Sequence, residues 1–137
     1  MKKTQQQIRD YFFSQKDEIC THLKHLMEIK SISDDRKACK EALRYVIKLA
    51  ESFGMKTAVG KHDDVGVIEI GEGRLTLGIL AHVDVVDEGS PAAWNYEPFT
   101  LTETDGMLYG RGIVDDKGPV IVSLYAMKFL LEQVPKF

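Results

Sequence analysis

The sequence predicts an α/β fold of three layers, in which helices flank a mixed β-sheet. Apolar residues recur at helical spacing over about residues 5–29 and again up to Gly54, which indicates two N-terminal helices. The segment from Leu75 to Val86, LTLGILAHVDVV, is almost continuously apolar. Such a run is typical of a central strand that is covered on both faces, as in α/β proteins.

The two predicted N-terminal helices have recognisable ends. Thr4 and Gln7 form a capping-box pattern at the start of the first helix, which we expect to be interrupted near Ser14. Asp34 or Asp35 can cap the second helix. Gly54 is suited to the left-handed conformation that ends many helices.

Strands and turns dominate the chain after Gly54. We predict strands over 55–59, 65–70 and 75–86, and a hairpin of 101–104 with 107–109 around the Asp105–Gly106 turn. A helix over 120–134 follows, with Pro119 in or near its first turn.

Composition restricts the classes of function. The chain has 137 residues, enough for one domain. Its net charge is −3 without a basic patch, so nucleic acid is not an expected partner. There is no apolar run of the ~20 residues that a membrane-spanning helix needs, and the polar N-terminus lacks the apolar core of a secretory signal. We therefore expect a cytoplasmic protein without membrane contact.

His82 and Asp84 form the first candidate site. They lie two residues apart at the end of the predicted strand, so their side chains project from the same face. An imidazole beside a carboxylate at the carboxyl edge of a sheet can bind a metal ion. The alternative is that both side chains merely bond to loop backbone.

Asp115 and Asp116 form the second candidate site. They follow a turn with Gly110 and Gly112 and precede the last helix. A carboxylate at this place can bridge two cations. The alternative is that these aspartates only cap the helix.

Taken together, these motifs resemble those of a known enzyme family. The segments AHVDVV and YGRGIVDDKGP, with the loop of Trp94, Pro98 and Phe99 between them, are similar to the metal-binding motifs of the dizinc peptidases. This family includes Xaa-His dipeptidases, glutamate carboxypeptidase, aminoacylase, acetylornithine deacetylase and succinyl-diaminopimelate desuccinylase. The bacterial Xaa-His and carnosinase-like dipeptidases are the most similar group.

The resemblance implies a role for three residues. His82 matches a histidine that binds one zinc ion, and Asp115 matches the aspartate that bridges two. Asp84, to which we assign the catalytic role, matches the acid that holds the imidazole. The resemblance also implies a cis peptide bond between Asp115 and Asp116, and cobalt or manganese as substitutes for zinc.

The resemblance further implies what these 137 residues lack. The family's general base lies in a Glu-Glu pair, and it and the remaining ligands would all lie beyond Phe137. We therefore interpret residues 1–137 as the N-terminal portion of a catalytic domain, without the C-terminal half or the lid and dimerisation domain. The whole protein is expected to be a zinc dipeptidase acting on small peptides, and the isolated chain to be inactive. Two alternatives stay open: a deacylase of N-acyl amino acids, and a non-catalytic remnant that associates into a homo-oligomer.

Overall fold

The computed structural model describes residues 4–134, which form four α-helices and two β-hairpins. In chain order the elements are α1 (Gln5–Ser14), α2 (Lys16–Glu28), α3 (Arg36–Ser52), β1 (Lys56–Val59), β2 (Gly66–Glu69), a short 3-10 helix (Pro91–Ala93), β3 (Thr102–Thr104), β4 (Met107–Tyr109) and α4 (Lys117–Gln133). No helix in this part of the chain is both long and apolar enough to cross a membrane.

The N-terminal helices follow the sequence prediction closely. The Thr4 hydroxyl accepts a hydrogen bond from the Gln7 amide at 3.2 Å, and the Gln7 side chain accepts one from the Thr4 amide at 2.9 Å. This capping box begins α1, and the predicted interruption falls at Gln15, between α1 and α2. Asp35 caps α3 by accepting from the Ala38 amide at 3.0 Å.

The predicted hairpin around Asp105 and Gly106 is present, and the first two predicted strands pair to form a second hairpin. β1 pairs with β2 in antiparallel register, and β3 pairs with β4 in the same way. Asp105 and Gly106 connect β3 to β4 with φ angles of 53° and 74°. These positive angles suit an Asp-Gly turn, which explains why the dipeptide predicts the hairpin.

The hydrophobic core lies between α2, α3 and α4. Buried side chains from these helices form one cluster, whose members include Leu26, Met27, Ala42, Val46, Ile121, Leu124 and Tyr125. The core therefore fixes the C-terminal end of α2 against the first two turns of α4, where the candidate site residues begin.

The prediction of a central, covered strand over 75–86 is wrong. Among the described residues of this segment only Val85 joins a β-bridge, which is parallel and pairs it with Ile32. The side chains of Leu75, Leu77 and Leu80 are between 89% and 101% exposed. A central strand needs neighbouring strands to accept its backbone hydrogen bonds, and the rest of residues 4–134 supplies none beside this segment. The α/β class holds, but the sheets described here are two separate hairpins.

The last helix begins earlier than predicted, at Lys117 instead of Val120. Pro119 is its third residue. Backbone amides in the first turn of a helix have no intrahelical acceptor, so a proline there loses no hydrogen bond. The helix therefore starts directly after Asp115 and Asp116.

Candidate active site

The structure brings His82 and Asp115 together. His82 Nε2 lies 2.9 Å from Asp115 Oδ1, although the two residues are 33 positions apart in the chain. Both side chains are at least half exposed. The contact joins the end of the extended segment 75–86 to the loop before α4, as the sequence motifs predict.

Asp84 holds the other side of the imidazole. His82 Nδ1 lies 3.0 Å from the Asp84 backbone oxygen and 3.2 Å from its Oδ1. The Asp84 carboxylate in turn accepts a hydrogen bond from the Ser33 hydroxyl at 2.7 Å. An Nδ1–H donated to Asp84 leaves Nε2 directed at Asp115, which is the orientation that a metal-binding histidine needs.

The electrostatics of the pair favour a charged site. Burial alone would lower the pKa of His82. Hydrogen bonds to the Asp84 carbonyl and the Asp115 carboxylate act in the opposite direction, as do the negative charges of Asp84 and Asp116. Together they outweigh burial, and the pKa of His82 is raised. The hydrogen bond from Ser33 is the main cause that lowers the pKa of Asp84, and the nearby imidazole adds to it. Without a metal ion the imidazole is therefore stabilised as a cation between carboxylates.

Asp116 does not cap α4 through its side chain. It occupies the N-cap position, yet its carboxylate makes no capping hydrogen bond. Instead Asp116 Oδ2 accepts from the His82 backbone amide at 3.0 Å. The peptide bond between Asp115 and Asp116 is cis, as the resemblance implies. The two aspartates therefore contact different atoms of the same histidine, and the alternative in which they only cap the helix does not describe them.

The segment carrying His82 is held by the turn between α2 and α3. Ser31 is fully buried, and its hydroxyl donates to the Val83 carbonyl at 2.6 Å. The Val85 amide donates to the Ser31 carbonyl at 2.9 Å, and the Ser33 amide donates to the Val85 carbonyl at 3.0 Å. The half-buried thiol of Cys39 donates to the Ile32 carbonyl of the same turn at 3.4 Å.

Sequence reasoning missed two residues that build the site, Ser33 and Lys117. Nothing in the sequence pairs Ser33 with Asp84, which lies 51 positions away. Lys117 is fully buried, whereas a lysine beside two aspartates is expected to be solvated. Burial lowers the pKa of Lys117 to about 8. The sequence feature that points to this burial is the cluster of glycines at 110, 112 and 118, which indicates close packing of the loop.

The geometry around His82 and Asp115 fits part of a zinc site. With bonds of 2.0–2.2 Å, a tetrahedral ion holds two ligands about 3.3–3.5 Å apart. The observed 2.9 Å therefore needs to widen by only a few tenths of an ångström. Within residues 4–134, however, no group of three or more His, Cys, Asp or Glu side chains is arranged to hold a metal ion.

Comparisons with known proteins find that this chain is similar to peptidases. Residues 78–137, which include both motifs, match the model of peptidase family M20/M25/M40. The fold is similar to the crystal structure of human carnosine dipeptidase 1, with a TM-score of 0.71 and 26% identity over 90% of this chain and 31% of that one.

Relatives with higher identity are bacterial. The chain is 41% identical over 133 residues to a protein of Staphylococcus saprophyticus named "Putative dipeptidase", covering 90% of this chain and 28% of the relative. It is 43% identical over 119 residues to a protein of the same name from Staphylococcus epidermidis, covering 80% and 25%. The predicted resemblance to this peptidase family is confirmed, and the chain spans about a quarter of the length of these relatives.

Proposed function

We propose that this chain forms part of the active site of a zinc-dependent dipeptidase, in which His82 and Asp115 bind zinc. The observation that carries the proposal is the 2.9 Å contact between His82 Nε2 and Asp115 Oδ1 at the meeting point of the two motifs. Between dipeptides and N-acyl amino acids, we propose dipeptides as the substrates, because the relatives and the similar structure are named dipeptidases.

Each residue of the proposed site has a separate task. A bound zinc ion would supply a Lewis acid and lower the pKa of a water molecule. His82 provides a neutral nitrogen once its proton is displaced, and Asp115 provides a carboxylate with two oxygens, enough to contact two ions. Asp84 keeps the imidazole in the tautomer that exposes Nε2, and Ser33 fixes the Asp84 carboxylate.

The isolated chain is expected to bind zinc weakly and to hydrolyse no dipeptide. Zinc sites use at least three protein ligands, whereas His82 and Asp115 are two. Within residues 4–134, no glutamate forms a hydrogen bond or ion pair with His82 or Asp115 that would place it as the general base. Measurable dipeptide hydrolysis by the purified chain with added zinc would contradict this expectation.

Zinc titration by calorimetry tests the metal-binding proposal. His82→Ala and Asp115→Asn should each weaken zinc binding roughly tenfold or more, the equivalent of ~1.4 kcal/mol. His62→Ala is the matched control, since His62 lies exposed in the turn between β1 and β2. Equal zinc affinity in wild type, His82→Ala and His62→Ala would refute the proposal.

Self-association is a second candidate function, supported by the exposed segment 75–80. Segment 75–80 is uncharged and carries three almost fully exposed leucines, so two copies could pair along it without charge repulsion.

Light scattering after size-exclusion chromatography tests this second candidate. Wild type should form dimers, and Leu77→Lys should return them to monomers. Phe13→Lys is the control, because Phe13 is 81% exposed on α1, outside the segment. A wild-type monomer at high concentration, or equal loss of association in both variants, would reject self-association through this segment.

A further inference from the structure

We propose that Lys117 is a positioning residue, which fixes the loop of Asp115 to the C-terminal end of α2 and so sets where Asp115 meets His82. The inference rests on the proposed zinc-binding role of those two residues. Lys117 itself is not expected to contact zinc or substrate.

The contacts of Lys117 are specific. Its side chain is fully buried, and its ammonium group donates to the backbone oxygens of Leu26 at 2.9 Å and Ile29 at 2.6 Å. Carbonyls at the end of a helix lack intrahelical partners, and a cation is favourable there because of the helix dipole. A buried ammonium group that lost these partners would be strongly unfavourable, so the interaction holds the loop close to the C-terminal end of α2.

Both halves of the candidate site are fixed to the same piece of backbone. Ser31 and Ser33, just after α2, hold residues 83–85 and with them His82. Lys117 is bound to the last turn of α2, and it lies two residues after Asp115. The distance between His82 and Asp115 therefore depends on the contacts of the two serines and on those of Lys117, both made with the backbone segment 26–33.

The glycines of the loop make room for this arrangement. A Cβ atom on Gly112 would lie 3.2 Å from Cδ of Lys117 and 3.1 Å from Cγ1 of Val85. Gly112 also has a φ of 91°, which strains other residues. A side chain at this position would therefore strain the backbone and press against both the lysine stem and the segment that carries His82.

Replacing Lys117 with methionine tests the inference, because methionine keeps an unbranched apolar stem and removes the ammonium group. In the metal-free protein, the His82 amide, which donates to Asp116, is followed by two-dimensional NMR. Lys117→Met should abolish the downfield shift that a hydrogen bond to a carboxylate gives this amide. In the zinc titration it should weaken binding about 10- to 100-fold, the range for residues that support a metal ligand.

Val46→Ala is the control for a general loss of stability. Val46 is buried in α3 within the core, so its truncation should lower the melting temperature, and it is not a hydrogen-bond partner of Lys117. Val46→Ala should keep the wild-type His82 amide shift and zinc affinity at temperatures below its unfolding transition. Changes of equal size in Val46→Ala and Lys117→Met would overturn the inference, as would a Lys117→Met variant that keeps both wild-type values.

Two further measurements keep the test decisive. If wild type binds no zinc, the proposed function fails, but the His82 amide shift in the metal-free protein still decides the role of Lys117. If Lys117→Met does not fold, Lys117→Leu, which also lacks a donor, takes its place, and an unchanged His82 amide shift in that variant overturns the inference. In wild type, the Lys117 ammonium protons should exchange slowly with water, and rapid exchange would also overturn it.

Discussion

Two segments of the chain are strongly apolar, yet only one of them is buried. Residues 75–80 contain Leu75, Leu77 and Leu80, all of them exposed. Residues 120–129 of α4 contain Val120, Ile121, Leu124, Tyr125 and Phe129, all buried against the other helices. The difference lies in the neighbours. A helix satisfies its own backbone and needs only a packing surface, whereas a strand also needs backbone partners beside it.

Truncating one leucine in each segment tests this comparison most strongly. Leu124→Ala should lower the free energy of unfolding by about 2–5 kcal/mol, because it removes packed atoms and leaves a cavity. Leu80→Ala should change it by less than about 0.5 kcal/mol, since its side chain already contacts water. Urea unfolding measures both, and equal losses would show that segment 75–80 is covered in solution.

Alanine substitutions of one glycine in α4 and one in segment 75–80 compare how closely the backbone is packed in each. A Cβ on Gly118 would overlap the carbonyl oxygen of Ile113, whereas one on Gly78 would meet nothing within 4 Å. We expect Gly118→Ala to cost about 1–3 kcal/mol through overpacking, or more if the backbone cannot shift. Gly78→Ala should be neutral. Thermal unfolding compares the two variants, and a stable Gly118→Ala protein would contradict the tight loop before α4.

The smallest expected effect concerns pH and the contact between His82 and Asp115. The folded-state pKa of His82 is raised above the ordinary value of 6.5. Its contribution to stability is therefore fully present below pH 6.5 and disappears as the pH rises through the raised pKa. Because the imidazole is half exposed, we expect at most about 0.5 kcal/mol.

Comparison with His82→Gln isolates this contribution. The stability of wild type relative to His82→Gln, both without metal, should decrease from pH 6 to pH 8. A difference that grows over this range would contradict the charged pair. Zinc binding should show the opposite trend in wild type, because zinc competes with the proton for the imidazole.

Local signals in the sequence predicted most elements and the central contact of the site. The capping box at Thr4 and the Asp105–Gly106 turn each act within four residues, so the pattern alone suffices. For the cap of α3 the pattern left Asp34 and Asp35 both open, and the structure selects Asp35. His82 and Asp115 could be paired because two motifs of a known family contain them.

Contacts between distant, unremarkable residues could not be predicted. Ser33 and Asp84 are ordinary polar residues whose pairing depends on how α2 and α3 pack. The burial of Lys117 depends on backbone oxygens 88 and 91 positions away. The apolar pattern of residues 75–86 indicated the extended conformation but not the partners that a central strand requires, and the prediction of burial failed for that reason.

The hydrogen bond from the Cys39 thiol to the Ile32 carbonyl makes the reactivity of this thiol a measure of whether the turn between α2 and α3 is closed. The thiol is half-buried, and burial raises its pKa, so a labelling reagent should modify it slowly while the turn stays closed. The same turn carries the serines that hold residues 83–85. In a Cys20→Ser background, the rate of Cys39 labelling therefore measures how often the support beneath His82 opens, without any probe attached to the site itself.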